Sequence, residues 1–225
     1  MENYVKAIFK LSQGRFAGRA TTGQLAAEVR VAPGTVTAML KTLSQQGLAV
    51  YTPYEGVRLT EAGRTLALAI VRRHRLLELF LARSLGLDWD EVHEHAERME
   101  HAVSDRLLER IDAFLGSPRF DPHGDPIPDP RGQMAELEAR PLSSCQLGER
   151  FRLVRVLEQS PAFLRSLRRQ GLTLGAVGEV VDRPTPGGAL VIALQQRNVS
   201  LDHADAQSLL VQSAPELAPE AAVPR

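Results

Sequence analysis

Imidazole and carboxylate side chains are concentrated in the stretch HEHAERMEH, residues 93–101, which holds three of the chain's six histidines and three glutamates. Side chains that follow one another on an α-helix are rotated by about 100°. On such a helix, four of these residues share one face: Glu100, His93, Glu97 and His101. Carboxylates and imidazoles on one face could pair with each other or bind a metal ion.

Burial decides between these uses. Continued as one helix, the same face runs into the core-type residues Leu108, Ile111 and Leu115, whereas His95 and Arg98 point away from it. Charges that become buried in proteins are normally paired or coordinate a metal. Taken alone, the stretch is equally compatible with a solvated charged face that contains incidental histidines.

A second segment, AIVRRHRLLELFLARSLG, repeats the feature, with His74 and Glu78 four residues apart. Their helical stripe is otherwise apolar and consists of Ala67, Ile70, Leu77 and Leu81. Two helices with ligand-type residues in an apolar stripe favour a metal site over a solvated charged face.

Composition sets the frame for such a site. With 225 residues, 44% hydrophobic and 24% charged, the chain is long enough for one large or two to three small domains. Its apolar runs are too short for a membrane span and the start shows no signal-peptide pattern, so we expect no membrane partner and a cytoplasmic location. The single cysteine, Cys145, allows no internal disulfide and is expected to be a structural or linker residue.

Charge is distributed unevenly although the net charge is zero. Residues 1–75 carry 11 Lys and Arg against 4 Glu, a net charge of +7, whereas residues 76–150 carry 8 against 16, a net charge of −8. The remainder carries 8 against 7. A basic segment followed by an acidic one is expected of a DNA-binding domain joined to a cation-binding domain, with chance segregation as the alternative.

The basic third has the pattern of a winged helix. ENYVKAIFKLSQ is amphipathic, and TTGQLAAEV is a short helix capped by Thr21 or Thr22. In RVAPGTVTAMLKTLSQQGLAV, Pro33 and Gly34 open a third helix whose inward residues are Val36, Met39, Leu40 and Leu43. LAVYTPYEGVRLT then predicts two strands around the turn 53–56. Two short helices joined by a tight turn form a helix-turn-helix unit, and the strands form its wing.

Candidate DNA contacts follow from the outward positions of this unit. Small and hydroxylated side chains let a recognition helix enter the major groove closely, and basic side chains neutralise phosphates. The candidates are Pro33, Thr35, Thr37, Ala38, Lys41 and Arg58. The alternative is a compact helical domain that does not bind DNA.

With these motifs the chain resembles the iron- and manganese-dependent repressors typified by the diphtheria toxin repressor and the manganese transport regulator. The resemblance covers nearly the whole chain and rests on RLTEAGRTLA, RRHRLLE, HEHAERMEHAVSD and SPRFDPHGDPIP. It implies one metal site formed by His74, Glu78 and His93. It implies a second site formed by Glu97, Glu100 and His101, with Glu2 or Asn3.

Two positions depart from the iron-responsive members of this family. Glu97 stands where they have a cysteine, and Asn3 stands where they have a methionine, so the implied ligand set contains no sulfur. Oxygen donors with a few imidazoles suit Mn²⁺ and Fe²⁺, although Zn²⁺ and Cu²⁺ could also bind tightly. We therefore expect Mn(II) as the cofactor, with Fe(II) as the second candidate.

The C-terminal part predicts an SH3-like domain after a Pro- and Gly-rich linker that runs from about residue 116 to Pro141. FRLVRVLE, LTLGAVGEVVDR and ALVIALQ read as strands, separated by the helix PAFLRSLRRQG and the turn PTPGG. In some relatives this domain donates metal ligands, for which Glu158 or Gln159 are the candidates here. Residues 213–225 are predicted to form a disordered tail.

The fold class that follows is α+β and multidomain. Its parts are a winged helix-turn-helix (1–65), a helical metal-binding and dimerisation domain (66–140) and an SH3-like β-barrel (141–212). The expected function is that of a homodimeric, metal-dependent transcriptional repressor that binds a palindromic operator and controls metal-homeostasis genes.

Two other classes of function compete with this one. A di-metal carboxylate enzyme would need Glu-x-x-His on two helices, whereas the spacings here are His-x-x-x-Glu and Glu-x-x-x-His, so we expect no enzyme. A winged-helix regulator that responds to an organic ligand is the remaining alternative.

Overall fold

The computed structural model describes residues 1–12, 18–183, 188–195 and 197–214. Residues 184–187 of the predicted turn PTPGG and most of the predicted tail lie outside these residues. The helices are α1 Glu2–Ser12, α2 Thr22–Val29, α3 Pro33–Gln45, α4 Glu61–Leu85, α5 Val92–Met99, α6 Asp105–Phe114, α7 Pro161–Gln170 and α8 His203–Gln207. The strands are β1 Ala49–Thr52, β2 Gly56–Leu59, β3 Arg140–Pro141, β4 Arg150–Val156, β5 Val177–Asp182, β6 Leu190–Leu194, β7 Arg197–Leu201 and β8 Leu209–Ser213.

The first domain is the winged helix that the sequence predicts. Thr21 caps α2 in a reciprocal box with Gln24, and Pro33 opens α3 at a position where its missing N–H is not needed. Strands β1 and β2 pair antiparallel as the wing. Helix α1 packs into the same core through Val5 and Ile8, so the DNA-binding domain includes the first helix of the chain.

Helix α4 is the long central element, with 25 residues capped by Thr60 and ended by Gly86 in the left-handed conformation. Its first half contributes to the core of the winged helix and its second half packs against α5 and α6. One helix therefore connects the core of the winged helix to α5 and α6.

The expectation of one continuous helix through residues 93–115 is wrong. Helix α5 ends at Met99 and α6 begins at Asp105, because the Ser104 side chain accepts a hydrogen bond from the Leu107 N–H and caps a new helix. Leu108 and Ile111 are nevertheless buried. The ligand-type residues and the apolar residues of the predicted stripe therefore belong to two successive helices instead of one.

The segment predicted as a linker is folded by hydrogen bonds of its own and is tied to β4, where the Val156 N–H donates to the His123 carbonyl at 2.9 Å. One Asp121 carboxylate oxygen accepts the N–H groups of His123 and Asp125 at 2.8 and 2.9 Å. Gly124, at φ +85°, lies so close to β4 that an added Cβ would be 2.1 Å from the Val154 carbonyl oxygen. The segment 117–129 is hereafter called the strap.

The C-terminal domain is a six-stranded antiparallel sheet in the order β3-β8-β4-β5-β6-β7. Its core contains Phe151, Leu164 and Cys145, which agrees with a structural role for the cysteine. The prediction covered β4, β5, β6 and α7 but not β3, β7, β8 or α8. Ser213, assigned to the tail, belongs to β8, which pairs with both β3 and β4. No helix of the described residues combines the length and apolar character needed to cross a membrane.

Candidate metal centre and DNA-binding surface

The buried half of the candidate metal centre comes from α4. His74 and Glu78 lie one turn apart on the face that the helix presents to α5, and both are buried. The His74 Nε2 atom lies 2.9 Å from a Glu78 carboxylate oxygen. The interruption of the apolar stripe seen in the sequence is therefore a real pair of polar groups in the protein interior.

Helix α5 completes a first group of ligand-type atoms with His93. Its Nδ1 atom lies 3.1 Å from His74 Nε2 and 3.1 Å from Glu78 Oε1. The three ligand atoms lie within 4.8 Å of one another. The side chain of His93 remains 52% exposed, so this group has a solvent-accessible side through which an ion can enter.

A second group lies on the other side of the His74 ring. His74 Nδ1 lies 2.7 Å from Glu100 Oε2, and Glu97 joins these two residues within the same 4.8 Å limit. Glu100 has no exposed side-chain surface. His74 therefore faces one group with each of its ring nitrogens, and the two groups are neighbours that share one residue.

His101 and Glu2 stand at the edge of the second group. His101 Nδ1 lies 2.8 Å from Glu2 Oε2, and its Nε2 lies 3.6 Å from Glu100. Asn3, the alternative N-terminal candidate, is exposed. Of the two N-terminal candidates, Glu2 is the one that contacts a residue of α5 or of the turn that follows it. His95 and Arg98 are exposed, as the helical geometry predicts.

Sequence reasoning missed Lys6, which enters the second group from α1. Its ammonium group pairs with Glu97 and lies 2.8 and 3.1 Å from the two Glu100 oxygens. One signal was available, because Lys6 is one helical turn after Glu2 and therefore shares its face.

A third group, also missed, joins Glu78 to the strap residues Asp121 and His123. All three are buried. His123 Nε2 is hydrogen-bonded to the Trp89 carbonyl at 2.7 Å, whereas its Nδ1 has no hydrogen-bond partner within the described part of the chain and lies 3.9 Å from Glu78. The sequence signal was the Asp-x-His spacing in FDPHGDP, which the Pro- and Gly-rich composition concealed.

The charged groups of the centre shift one another's pKa values. Burial disfavours a charge on His74, but the attraction of Glu78 and hydrogen bonds to Glu100 and Glu78 outweigh it and raise the imidazole pKa to about 9. Burial likewise opposes ionisation of Glu78 and Glu100, yet His74 and other hydrogen-bond partners hold both carboxyl pKa values below the usual range. In the metal-free protein the positive charge of His74 and the negative charges of Glu78 and Glu100 therefore stabilise each other.

Neither candidate ligand from the C-terminal domain belongs to these groups. Glu158 is exposed and accepts the Ser160 N–H at 2.9 Å. Gln159 donates to Asp125 on the strap at 3.2 Å, as does Arg155 at 2.6 Å. The domain thus contacts the strap, and the strap in turn contacts Glu78.

The candidate DNA-binding surface lies on α3 and the wing. Pro33, Thr35, Ala38 and Lys41 are exposed, as is Arg58 on β2. Thr37 is only partly exposed, and its hydroxyl donates to the Pro33 carbonyl one turn earlier at 3.1 Å. This hydrogen bond leaves the Thr37 oxygen able to accept from a base or phosphate, but not to donate without breaking the bond.

The donor set of the centre fits a divalent cation. Imidazole nitrogens and carboxylate oxygens converge from α4 and α5, and Glu78, Glu97 and Glu100 supply more negative charge than His74 and Lys6 neutralise. Nitrogen and oxygen donors without sulfur favour Mn²⁺ and Fe²⁺ over ions that prefer thiolate.

Comparison with known proteins identifies three domains in this chain. Residues 1–57 match the iron dependent repressor N-terminal DNA binding domain, residues 60–129 match the iron dependent repressor metal binding and dimerisation domain, and residues 140–213 match the FeoA domain. The iron-dependent repressor IdeR of Mycobacterium tuberculosis is 29% identical over 94% of this chain and 96% of its own length. The diphtheria toxin repressor of Corynebacterium diphtheriae is 34% identical over 56% of this chain and 55% of its own.

Solved structures extend the comparison to the whole fold. A manganese-dependent transcriptional repressor in complex with manganese is 40% identical, covers 95% of this chain and 99% of its own, and superimposes with a TM-score of 0.85. The manganese regulator SloR is 30% identical, covers 95% and 98%, and has a TM-score of 0.75. The chain therefore belongs to the family of iron- and manganese-dependent repressors, metal-dependent DNA-binding proteins with a dimerisation domain, and it carries a FeoA domain after that domain.

Proposed function

We propose that this repressor responds to Mn²⁺, with Fe²⁺ as the second physiological candidate. The observation that carries the proposal is the donor set, in which carboxylates of Glu78, Glu97 and Glu100 surround the buried imidazole of His74. Mn²⁺ has the weakest preference for nitrogen and sulfur among the common divalent transition ions and accepts oxygen-rich sites. The manganese complex of a 40%-identical relative supports the same choice.

We assign the ion ligands to two neighbouring sites. The first is formed by His74, Glu78 and His93, and the second by Glu97, Glu100 and His101 with Glu2 of α1. Asn3 is the weaker N-terminal candidate because its side chain is exposed. When bound, the ion supplies a multivalent positive charge that holds several carboxylates and imidazoles in one arrangement.

The protein's own part in the response is to connect that arrangement to the DNA-binding domain. Helix α1 belongs to the core of the winged helix, and its Glu2 reaches His101 just beyond α5. Fixing α1 against α5 would hold the two winged helices of a homodimer at the separation of two operator half-sites. An ion changes operator affinity only to the extent that it binds this arrangement more tightly than others.

The operator contacts are assigned to two classes. Lys41 and Arg58 neutralise phosphates, whereas Pro33, Thr35, Thr37 and Ala38 lie where α3 would approach base edges. The genes under such an operator would be those of metal homeostasis.

For the domains we propose the divisions 1–65, 66–140 and 141–212.

The test is a titration of operator binding with Mn²⁺, Fe²⁺, Co²⁺ and Zn²⁺ at fixed salt and without oxygen. We expect Mn²⁺ to activate operator binding at free concentrations within its physiological range. Fe²⁺ should be the next most effective ion. Undiminished operator binding after chelation would contradict the proposal and favour a regulator that responds to an organic ligand.

A further inference from the structure

The position of Lys6 bears on how the second metal site is controlled. Its ammonium group contacts two of the three proposed carboxylate ligands of that site, Glu97 and Glu100, and the side chain is only 16% exposed. On the same helix, Lys10 pairs with Glu28 but is 71% exposed. Of the two lysines of α1, one thus lies among proposed metal ligands and the other is an ordinary surface residue.

The oxygens that Lys6 contacts are those that an ion would use. Both Glu100 oxygens lie within 3.1 Å of the ammonium nitrogen, and one of them also lies 2.7 Å from His74. An ammonium group and a divalent cation on the same oxygens would repel each other strongly in this poorly solvated place. The two cations therefore exclude each other from these positions.

We propose that Lys6 is a tethered cation that competes with the metal ion for Glu97 and Glu100 and thereby sets the affinity of the second site. In the metal-free protein its charge compensates Glu100, which would otherwise have His74 as its main partner. Metal binding displaces the ammonium group toward solvent. The ion pairs of Lys6 with Glu97 and Glu100 are then replaced by an ion that Glu2 of α1 and these two carboxylates bind together. This inference rests on the ligand assignment proposed above.

Competition predicts two effects of opposite sign for Lys6→Gln. Metal-free protein loses stability, because a buried carboxylate loses its cationic partner, whereas Mn²⁺ binds about tenfold more tightly because no ammonium group has to leave. If Lys6 had a purely structural role, the substitution would lower both the stability of the metal-free protein and its affinity for Mn²⁺. Lys10→Gln, on the same helix, should leave both unchanged, and Lys6→Arg, which keeps the positive charge, should stay close to wild type.

The measurements are Mn²⁺ titration calorimetry and thermal unfolding in the presence of chelator, with Glu100→Gln as a further variant. If Glu100→Gln loses Mn²⁺ binding but Lys6→Gln binds as wild type or more weakly, the competition is refuted while the ligand assignment stands. If Glu100→Gln binds as wild type, the ligand assignment itself is wrong and the competition falls with it.

A readout on the unmodified protein does not depend on how a variant folds. The chain has three lysines, Lys6, Lys10 and Lys41, so acylation of each amine can be followed separately by peptide mass spectrometry. We expect Mn²⁺ to raise the acylation rate of Lys6 several-fold while Lys10 and Lys41 react at constant rates. An unchanged or lower rate at Lys6 would show that the ion does not displace it.

Discussion

The metal centre and the DNA-binding surface use charge in opposite ways. In the centre, His74, Glu78 and Glu100 are buried and each is within hydrogen-bond distance of another charged group. On α3 and the wing, Lys41 and Arg58 are exposed and lie on separate elements. Residues that share partners respond to substitution as a unit, whereas separate exposed residues contribute nearly additively. The centre should therefore fail abruptly and the surface gradually.

The largest effect is expected for Glu100→Ala. This change removes a proposed ligand and leaves the Lys6 and His74 cations without their shared carboxylate. Since the loss of a mere supporting partner lowers metal affinity by about 10- to 100-fold, we expect a decrease of at least about 100-fold and loss of metal-dependent operator binding. His101→Ala should also lose metal-dependent binding.

Calorimetry with Mn²⁺ and operator binding measured with and without the ion provide the check. His95→Ala is the matched control, since His95 is exposed and lies on α5, close to both residues in the sequence. Wild-type stoichiometry and affinity in both the Glu100 and His101 variants would mean that the second site lies elsewhere.

The next effect concerns pH and comes from the same shared charges. Because the folded pKa of His74 is raised to about 9, the imidazole is protonated at pH 7 and must release a proton to bind an ion. We expect Mn²⁺ affinity to rise by up to about tenfold for each pH unit between 7 and 9. Calorimetry in buffers of different ionisation enthalpy should show the released proton, and no dependence on buffer would contradict the role of His74.

Stability of the metal-free protein should follow the opposite trend. The ordinary pKa of histidine is 6.5 and the folded value is about 9, so the contribution of His74 is complete below pH 6.5 and is lost as the pH rises through 9. The carboxyl pKa values of Glu78 and Glu100 are lowered from 4.5, so their contribution is complete above pH 4.5 and is lost below it. Thermal unfolding in chelator should therefore give its highest midpoint between pH 4.5 and 6.5.

The contrast also explains what could be predicted from sequence. The winged helix follows from local signals such as the Thr21 cap and Pro33 at the start of α3. His74 and Glu78 could be predicted as a pair because they lie four residues apart on one helix. These predictions succeeded because a short stretch of the chain determines each of these features.

Most of what was missed depends on tertiary contacts. The break between α5 and α6 is the exception, because it depends on the local Ser104 cap, which competes with continuation of a helix. The approach of Lys6 to Glu100 joins residues 94 positions apart, and β8 is placed between β3 and β4 by long-range pairing. The composition of the strap indicated a linker, although its Asp121 and His123 contact α4 and the α4–α5 connection.

A change within the centre that preserves charge should alter selectivity more than affinity. Glu97→Cys replaces one anionic ligand with another at a partly exposed position, and a thiolate prefers Zn²⁺ and Fe²⁺ to Mn²⁺. We expect the ranking of activating ions to shift toward the softer ions by about tenfold. Operator affinity of both proteins across Mn²⁺, Fe²⁺, Co²⁺ and Zn²⁺ in anaerobic buffer measures this, and an identical ranking would assign selectivity to another ligand.

The smallest effects are expected on the DNA-binding surface, and their additivity completes the comparison. Each phosphate contact contributes about one unit to the slope of log affinity against log salt. Lys41→Ala and Arg58→Ala should each reduce that slope by about one, and the double variant by about two, because the residues lie on different elements. Thr35→Ala should instead leave the slope unchanged and weaken the preference for operator over random DNA, since Thr35 is exposed on the proposed base-reading face of α3. Equal losses for operator and random DNA would move Thr35 to the phosphate-contacting class, and a strongly non-additive double variant would show that α3 and the wing act as a unit, as the metal centre does.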